Sequence, residues 1–542
     1  MLGWPSLPIV VRRHETGTSL ALAAPEDQLF TATELNEFAW CNGVGDVEFH
    51  APGHPAVNDA ESARETLMHF SRSERQPKTI ALLSAAFERG LPVLLDDDAL
   101  SVGLGEHGRT WPIAALPDPA SVPWAALGRI PTALVTGSNG KTTTVRLIAA
   151  MLRAQGLNAG HSCTDGLFVG GKKVESGDYS GPGGAREILR RPDVQAAVLE
   201  TARGGLLRRG LALAKSDVAV ITNISADHFG EYGIHDLAGL AQVKFSVTNA
   251  VSNSGWLVLN AADALLCESA SSFTGRIAWS HVNADDEVLK AARAQGAPTC
   301  GVRAGRLWLE SPQGAEDLGA VESMPLSVGG RALYNIANLA GASLAAFLLG
   351  VPKGVIAQTT LTFGSSATDN SGRLQHSVVG GIHVFIDYAH NPEGLRGLLQ
   401  IAAPYRDKGR LALLLGQAGN RTDAQVKELA AAAAAFKPDL IVLKDLEDML
   451  RGRIAGEVSG ILRDELQRLG LPLSSLPVYL SELDAVRAAL RWAHAGDVLV
   501  LPVHGSRSQR DAAALLDALR AGQWVAGGDL PPSAGPNAAP LD

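Results

Sequence analysis

Cysteine is scarce in this 542-residue sequence, which contains only Cys41, Cys163, Cys267 and Cys300. Their spacing forms no CxxC pair, and this excludes a disulfide framework and a structural zinc site of that kind. A reducing compartment fits best, so we expect a cytoplasmic protein. Residues 1–13 lack the charged and apolar regions of a signal peptide, and no run reaches about 18 apolar residues. Neither secretion nor a membrane partner is predicted.

Positive charge is also in deficit, because 47 Lys and Arg face 56 Asp and Glu, for a net charge of -9. This balance argues against a non-specific binder of the phosphate backbone, although a local basic patch would survive the average. We expect no nucleic-acid partner. Hydrophobic residues at 46% and charged residues at 19% are typical of a globular protein, and the length predicts about three or four domains.

Apolar runs that alternate with helical stretches predict an α/β fold with a tail. Residues 1–128 are expected to form a small N-terminal α/β domain of unassigned role, in which residues 31–34 have the pattern of a capping box. The proline-rich segment 116–129 is predicted to be a linker, and residues 527–542 a disordered tail.

Two further domains are predicted between these segments. Residues 129–370 should form a central P-loop domain with a mostly parallel sheet, and residues 371–526 a C-terminal Rossmann-like α/β domain. A helix is expected over residues 334–349. The predicted strands are 132–136, 196–200, 218–222 and 256–260 in the central domain, and 382–387, 410–415, 439–443 and 497–501 in the C-terminal domain.

The strongest motif is Thr-Gly-Ser-Asn-Gly-Lys-Thr-Thr at residues 136–143, between a predicted strand and a predicted helix. This order is typical of a P-loop, whose backbone N–H groups hold phosphates at the positive end of a helix. Lys141 is expected to reach the β- and γ-phosphates, and the Thr142 hydroxyl to bind Mg²⁺. Val135 stands where the general pattern GxxxxGK[ST] has its first glycine, so the loop is a shorter variant. The alternative is a plain strand-to-helix turn with an exposed lysine. The other candidate nucleotide-binding residues of the loop are Gly137, Ser138, Asn139, Gly140 and Thr143.

A second polar group follows the predicted strand that ends at Glu200. Ligands bind at the carboxyl ends of strands in open parallel sheets, so Glu200 is a candidate metal ligand. Arg203 and Arg208 are candidate contacts for an anionic substrate. The structural alternative stays open, since strand-end acids also cap helices and arginines often lie in water.

A third group follows the predicted strand 218–222. Asn223 is a candidate ligand of a nucleotide or phosphate, and His228 of a metal or a metal-bound water. A single histidine after a strand is more often structural, but its register with the P-loop and Glu200 strands favours a site. Lys244 follows in the segment Ala-Gln-Val-Lys.

A fourth group lies in the C-terminal domain, in the segment Asp-Tyr-Ala-His-Asn-Pro at residues 387–392. Asp387 and His390 are expected to face the cleft between the central and C-terminal domains. Arg373, just before the strand, is expected to move against the nucleotide when the domain closes. Asp387 alone is equally compatible with a turn or a cap.

Together these motifs resemble the Mur ligase family of ATP-dependent amide-bond ligases over about residues 130–510. Within the family the likeness is strongest to the Mur-ligase-like half of the cyanophycin synthetases. It rests on residues 177–182 (GDYSGP), 200–205 (ETARGG), 387–392 (DYAHNP) and 451–457 (RGRIAGE).

The resemblance implies ATP and Mg²⁺ and assigns roles by position. Lys141 and Thr142 match the phosphate-binding lysine and the Mg²⁺-bound hydroxyl, and Lys244 matches a lysine that is carbamylated in many such ligases. Three more residues match positions that contact the nucleotide. Asn335 matches the position that contacts adenine, and Arg373 and Asp387 match nucleotide contacts from the cleft and the C-terminal domain. The implied catalytic set is Lys141, Glu200, His228 and Lys244, the metal set is Thr142, Glu200, His228 and Lys244, and the substrate set is Asp178, Arg203, Arg208 and His390.

The implied reaction joins a carboxylate to an amine through an acyl phosphate, with ADP and phosphate as further products. The expected substrates are an acidic peptide or aspartyl polymer and an amino acid, with arginine, as in cyanophycin synthesis, one candidate. Residues 1–128 are too short for the ATP-grasp module of cyanophycin synthetases, so a separate ATP-grasp ligase is a candidate partner. Residues 503–507 lack the GKGHE string of some relatives, which leaves the amino-acid pocket unassigned. The sequence does not decide whether the protein forms a homo-oligomer.

Two other functions stay open. One is a non-catalytic nucleotide-binding scaffold that partners an ATP-grasp ligase, and the other is a P-loop NTPase that couples hydrolysis to motion. A scaffold needs no metal-bound carbamate, and an NTPase gives Glu200, His228 and Lys244 no role. The ligase is therefore the favoured interpretation.

Overall fold

The computed structural model describes residues 2–4, 7–14, 17–45, 47–57, 59–226, 229, 231–366 and 368–532. The chain divides into two compact units. The first comprises residues 1–130 with the short segments 189–193 and 230–235, and the second comprises the remainder. No helix in the described parts of the chain has both the length and the hydropathy needed to cross a bilayer.

The first unit combines helices with small antiparallel sheets of order β1-β2 and β3-β4-β5. Its elements are β1 (Ile9–His14), β2 (Gly17–Leu22), α1 (Leu29–Val44), α2 (Ala60–Glu74), α3 (Pro77–Glu88), β3 (Val93–Leu95), β4 (Ala99–Val102) and β5 (Arg109–Pro112). Buried apolar side chains of α3 and β4 share one core, which includes Leu82 and Leu100.

The capping box predicted at residues 31–34 is wrong, because α1 begins at Leu29 and Thr31 lies inside it. The carboxylate of Glu74, the last residue of α2, satisfies the first turn instead. It accepts hydrogen bonds from Phe30 N at 2.6 Å, Thr31 N at 2.9 Å and Thr31 Oγ1 at 2.7 Å. A local spacing rule cannot detect a capping group that is 43 residues away along the chain.

The proline-rich segment predicted as a linker is packed into the first unit. Leu116 and Val122 are buried in its core, and Trp124 packs beneath the Arg89 guanidinium, 4.5 Å from the ring centroid. Short 3₁₀ turns at Pro119–Ser121 and Trp124–Ala126 order the rest of the segment. These residues are therefore part of the unit's core.

The central part of the second unit is built on an 11-stranded sheet of order β16-β15-β14-β13-β12-β11-β6-β10-β7-β8-β9. The strands from β14 to β7 in this order are parallel, and both edges are antiparallel. The elements are β6 (Thr132–Thr136), α4 (Lys141–Ala154), β7 (Ala159–Cys163), β8 (Gly166–Val169), β9 (Lys172–Glu175), α5 (Pro182–Leu189), β10 (Ala196–Glu200), α6 (Arg203–Arg209), β11 (Ser216–Ile221), α7 (Leu237–Phe245), β12 (Val251–Asn260), α8 (Ala264–Ala270), β13 (Arg276–His281), α9 (Glu287–Ala294), β14 (Thr299–Arg303), β15 (Arg306–Ser311), β16 (Gly314–Ala320), α10 (Leu333–Leu348) and α11 (Lys353–Thr362).

The parallel centre of this sheet was predicted correctly, because its strands are continuous apolar runs. Every residue of β6 and of β10 is buried, as expected for strands covered on both faces. Helices α4 and α10 pack against each other and onto the sheet, and their apolar side chains form the main core with those of the strands. Strands β10, β6 and β11 are adjacent, so their carboxyl ends meet at one edge.

The C-terminal part of the second unit has a six-stranded sheet of order β17-β18-β22-β19-β20-β21, parallel except for β17. The predicted Rossmann-like arrangement is confirmed. Its elements are β17 (Gln375–Val379), β18 (Ile382–Asp387), α12 (Pro392–Ala402), β19 (Leu411–Leu415), α13 (Asp423–Ala434), β20 (Leu440–Lys444), α14 (Glu457–Arg468), β21 (Val478–Tyr479), α15 (Glu482–Trp492), β22 (Val498–Pro502) and α16 (Ser506–Ala521).

The segment predicted as a disordered tail begins inside this domain. Leu530 packs against the apolar cluster beside β18 and α15, and the Arg487 guanidinium donates a hydrogen bond to the Pro531 carbonyl. The first residues of the segment are therefore packed against the domain, whereas residues 533–542 lie outside the described residues.

Candidate active site

Two glycines allow the loop between β6 and α4 to adopt its shape. Gly137 has φ +144° and Gly140 has φ +83°, values that strain residues with a Cβ. A Cβ on Gly137 would lie 1.8 Å from Thr222 Oγ1, and one on Gly140 would lie 2.3 Å from Asn338 Oδ1. The loop is thus enclosed by the end of β11 and by α10, with no room for a side chain at either glycine.

Polar residues after β11 hold this loop through its backbone. Asn223 Oδ1 accepts from Asn139 N at 2.9 Å, and Asn223 Nδ2 donates to Asn139 O at 3.0 Å. Thr222 Oγ1 donates to the same carbonyl at 2.6 Å, and Ser138 Oγ donates to the Ser225 carbonyl at 3.0 Å. Asn223, predicted as a phosphate ligand, is therefore placed where it shapes the phosphate loop.

The loop residues with predicted chemical roles lie side by side. Lys141 Nζ donates to the carbonyls of Gly137 and Ser138, each at 3.0 Å. Thr142 Oγ1 donates to Glu200 Oε2 at 2.8 Å, and Thr164 Oγ1 donates to Glu200 Oε1 at 3.0 Å. Glu200 is only 1% exposed. A buried carboxylate held by two neutral hydroxyls therefore adjoins the phosphate loop.

These groups suit a magnesium ion, which prefers oxygen ligands such as hydroxyl and carboxylate groups. Thr142 and Glu200 would hold the ion, since their oxygens are already 2.8 Å apart. When bound, it would offset negative charge on the transferred phosphoryl group. In the part of the chain that the structure describes, no group of three or more His, Cys, Asp and Glu forms a metal site. Substrate phosphate and water are the usual additional ligands in such sites.

Two of the predicted metal-site residues are placed less fully. His228 lies outside the described residues. Lys244 is on α7 and is 4% exposed. The predicted roles of both residues, including carbamylation of Lys244, stay predictions.

An arginine pair and one carboxylate connect the central domain to residues 371–373, which precede β17. Arg146 Nη2 donates to Asp165 Oδ2 at 2.7 Å, and Arg146 Nη1 donates to the Ser371 carbonyl at 2.9 Å. Arg373 Nη2 lies 3.5 Å from the same Asp165 oxygen, with its guanidinium 4.1 Å from the Tyr388 ring centroid. Although burial acts to lower it, Asp165 and other acidic neighbours raise the pKa of Arg373. Arg373 is therefore a cation held against Asp165 and Tyr388.

The loop after β18 reaches the phosphate loop directly. Asn391 Nδ2 donates to Asn139 Oδ1 at 2.9 Å, and Asn139 Nδ2 donates to Glu393 Oε2 at 2.9 Å. At the start of the loop, Asp387 Oδ2 accepts from Leu374 N at 2.6 Å, and burial raises the pKa of Asp387. The C-terminal domain thus contacts the loop predicted to hold the phosphates.

Most of the remaining predicted residues form hydrogen bonds within the protein. Asn335 Nδ2 donates to the Leu326 carbonyl at 3.0 Å and Asn335 Oδ1 accepts from Asn338 Nδ2 at 3.2 Å, so both ends of its amide are engaged. Asp178 Oδ1 accepts from Ser180 N and Oγ. The Thr143 hydroxyl accepts from Asn370 Nδ2 at 3.3 Å, and His390 Nδ1 lies 3.2 Å from the Tyr388 carbonyl. Arg203 is buried at the start of α6, whereas Arg208 is exposed and its Nε donates to the Gly204 carbonyl.

Sequence reasoning missed residues that the structure brings to this edge. Thr164 and Asp165 follow β7, the parallel neighbour of β10, so the rule that selected Glu200 could have found them. Asn391 lies inside the segment 387–392, but no role was predicted for it. Arg146 and Glu393 carried no signal, because an arginine in a helix and a glutamate after Pro392 are ordinary surface residues by pattern.

Comparisons with known proteins decide the family. The profile of the Mur ligase middle domain matches residues 135–346, and that of the Mur ligase glutamate ligase domain matches residues 372–507. The chain belongs to the Mur ligase family. The general chemistry of that family is ATP-dependent ligation with formation of ADP.

Relatives of this chain include a cyanophycin synthetase and a 2,6-diaminopimelate ligase. The chain is 37% identical to a cyanophycin synthetase of Synechocystis sp. over 388 residues, which cover 70% of this chain and 43% of that protein. The chain therefore spans less than half the length of that curated relative. A UDP-N-acetylmuramoyl-L-alanyl-D-glutamate--2,6-diaminopimelate ligase of Alkalilimnicola ehrlichii is 29% identical, and the match covers 78% of each chain.

A solved structure with the same fold is E. coli FolC in complex with ADP. The TM-score is 0.50 at 17% identity, with 72% of this chain and 90% of that chain covered. At this identity the likeness concerns the fold alone, and it agrees with the two α/β domains described above.

Proposed function

We propose that this Mur ligase uses ATP to join the carboxylate of an acidic peptide or aspartyl polymer to the amine of an amino acid. The observation that carries the proposal is the Thr142 and Glu200 pair beside the phosphate loop. Arginine is the first amine to test, because several relatives that cover about 70% of this chain are cyanophycin synthetases. A separate ATP-grasp ligase is the proposed source of a polymeric acid.

In the first step, a substrate carboxylate oxygen bonds to the γ-phosphorus of ATP while the bond between that phosphorus and the ADP oxygen breaks. Charge increases on the transferred group, and a cation placed against it lowers the barrier. Lys141 is proposed to supply this cation. Its ammonium group now bonds two carbonyls of its own loop, which phosphate oxygens can replace as partners.

In the second step, the amine nitrogen bonds to the carbonyl carbon of the acyl phosphate, phosphate leaves, and the amine proton is lost to solvent or phosphate. Water would destroy the acyl phosphate, so the site must exclude it. The contacts of Asn139 with Asn391 and Glu393 support a covering role for the C-terminal domain. Domain closure of this kind commonly limits turnover in such enzymes.

The test is a screen of purified protein with ATP, Mg²⁺, a panel of acidic peptides and each amino acid, following ADP release and product mass. We expect ADP release that requires both acid and amine, and a product heavier than the acid by one amino acid less water. Lys141→Ala should abolish this activity. Lys172→Ala, the same change at an exposed lysine of β9, is the matched control.

The screen also separates the competing functions. ATP hydrolysis that needs no amine and that survives Lys141→Ala contradicts the ligase. Nucleotide binding without turnover across the whole panel supports the scaffold, and hydrolysis that depends on Lys141 but on neither substrate supports the NTPase.

A further inference from the structure

A buried ionic cluster lies at the carboxyl ends of the C-terminal strands. Its members are Lys444 at the end of β20, Glu482 at the start of α15 and His504 just beyond β22, and we call them the Lys444 cluster. Their exposed fractions are 0%, 2% and 4%. None of the three received a role from the sequence.

The hydrogen bonds of the Lys444 cluster fix the protonation of His504. Lys444 Nζ bonds to Glu482 Oε1 and lies 3.1 Å from His504 Nδ1. Although burial acts against it, Lys444 and His504 hold the pKa of Glu482 below its ordinary value, so the pair is ionic. Nδ1 also lies 3.5 Å from Glu482 Oε1, so the partner of Nε2 decides the tautomer. Nε2 is 3.1 Å from the Ala389 carbonyl, which only accepts, so a neutral ring has its proton on Nε2 and accepts from Lys444 at Nδ1.

The proton on Nε2 connects the cluster to the loop after β18. His504 Nε2 lies 3.1 Å from the Ala389 carbonyl and donates to it, and the His504 and Tyr388 rings meet edge to face at 5.1 Å. Glu482 holds the other side by accepting from the backbone N of His504 at 3.0 Å and of Gly505 at 2.7 Å. One carbonyl of the loop is thus anchored in the domain core.

The anchored loop is the one that contacts the phosphate site. Two residues beyond Ala389, the Asn391 amide bonds the Asn139 side chain at 2.9 Å. One residue before Ala389, the Tyr388 ring supports the Arg373 guanidinium at 4.1 Å. The Ala389 carbonyl therefore lies between the loop's contact with the phosphate loop and its contact with Arg373.

We propose that His504 is a positioning residue, which holds the Ala389 carbonyl so that Asn391 and Tyr388 stay aligned with the phosphate loop and Arg373. It acts through the loop and touches neither ATP nor the amine. This inference rests on the proposed ligase function. A buried ion pair contributes little net stability compared with apolar residues of the same volume, so fixing the geometry of one loop is the more specific role for it.

Two substitutions of His504 separate the two sides of the ring. His504→Gln keeps an amide N–H close to the place of Nε2 and can still donate to Ala389. His504→Asn keeps an acceptor near the place of Nδ1 but leaves the Ala389 carbonyl without its donor. We expect His504→Asn to lower kcat roughly 10- to 100-fold, with the KM of the amine changed less than threefold, and His504→Gln to restore most of the loss.

Asp497→Asn is the matched control for lost stability. Asp497 is buried at the opposite end of β22, where it accepts from Arg410 N at 2.8 Å and His494 N at 2.8 Å. This variant should lower Tm without lowering kcat. The proposal is overturned if the two His504 variants have equal kcat values, or if Asp497→Asn lowers kcat as much as His504→Asn does.

A measurement without turnover distinguishes failure of this inference from failure of the proposed function. Amide hydrogen exchange over residues 388–394 should be roughly tenfold faster in His504→Asn than in wild type, and unchanged in His504→Gln. If wild type performs no ligation but exchange follows this pattern, the proposed function fails and the positioning of the loop stands. If ligation occurs and exchange is equal in both variants, the positioning role fails.

Discussion

Two buried carboxylates lie near the carboxyl ends of strands, one in each of the two large sheets, and they bond different kinds of side chain. Glu200 ends β10 of the central sheet, and the hydroxyls of Thr142 and Thr164 donate to it. Glu482 lies at the strand ends of the C-terminal sheet and bonds the ammonium group of Lys444. The side chains that bond the first carboxylate are neutral hydroxyls, whereas the second carboxylate bonds directly to a cation inside the protein.

This difference indicates which strand edge is suited to chemistry and which to support. A carboxylate with hydroxyl partners can still attract a cation, and a lysine that bonds backbone carbonyls can exchange them for phosphate oxygens. The buried ion pair of Lys444 and Glu482 can neither attract a metal ion nor bind a phosphate without a large desolvation cost. Substitutions at Lys444, Lys141 and Thr164 test this difference between the two strand edges.

The largest effect is expected on stability, at Lys444. Lys444→Met keeps much of the volume but leaves Glu482 as an unpaired buried charge, which costs about 3–5 kcal/mol of unfolding free energy. Urea denaturation measures it. The double variant Lys444→Met with Glu482→Gln removes both charges and keeps a side-chain oxygen that can accept from the backbone N of His504 or Gly505, so it should recover most of the loss. Lys141→Met should cost less than about 1 kcal/mol because Lys141 bonds neutral carbonyls. If Lys444→Met and Lys141→Met lowered the unfolding free energy equally, the proposed difference between the two lysine environments would be wrong.

The second effect is expected on activity, at Lys141. Lys141→Met should lower kcat about 100- to 1000-fold, since it removes a cation that acts on the charge of the transferred phosphoryl group. Steady-state ADP release with the acid and amine found in the screen measures this. Tm serves as the control for folding. A variant that keeps wild-type kcat would remove Lys141 from the mechanism.

A smaller effect is expected at Thr164, which the sequence did not single out. Thr164→Val keeps the shape but removes the hydroxyl that donates to Glu200 Oε1 at 3.0 Å. Loss of one donor to a buried carboxylate costs about 1–3 kcal/mol, and we expect roughly a tenfold lower kcat. Titrating Mg²⁺ separates the causes, because an effect through Glu200 should also raise the Mg²⁺ concentration that gives half-maximal rate. Thr144→Val, one turn into α4, is a control of the same chemistry.

Most of the fold was predictable because apolar runs reveal buried strands. The bounds of β6, β10 and β18 agree with prediction to the residue, and those of β19, β20 and β22 to within one residue at each end. The antiparallel edges of the central sheet were not predicted. Strands such as β9 are short and exposed, so they lack that signal.

The site was predictable where residues follow strands and unpredictable where it depends on distant partners. Glu200 ends one buried strand and Asn223 follows another, and both bond residues of the loop between β6 and α4 or of the first turn of α4. The contact of Asn139 with Asn391 joins residues 252 apart, and that of Lys444 with His504 joins residues 60 apart. No spacing rule reports such pairs, because they arise only when strand order and helix packing are known.

The smallest expected effect is a pH dependence of stability that arises from His504 in the Lys444 cluster. Burial lowers the pKa of His504 from its ordinary 6.5 to about 4, so the folded protein keeps the ring neutral where the unfolded chain takes up a proton. Stability from this group is therefore present above pH 6.5 and is lost as pH falls toward 4. Between pH 7 and pH 5.5 the unfolding free energy should fall by about 1 kcal/mol through His504. His504→Gln has no such titration, so urea denaturation at the two pH values should show a smaller decrease for it. Equal decreases in both proteins would mean that His504 titrates alike in the folded and unfolded states, which a ring that accepts from an ammonium group inside a sealed cluster cannot do.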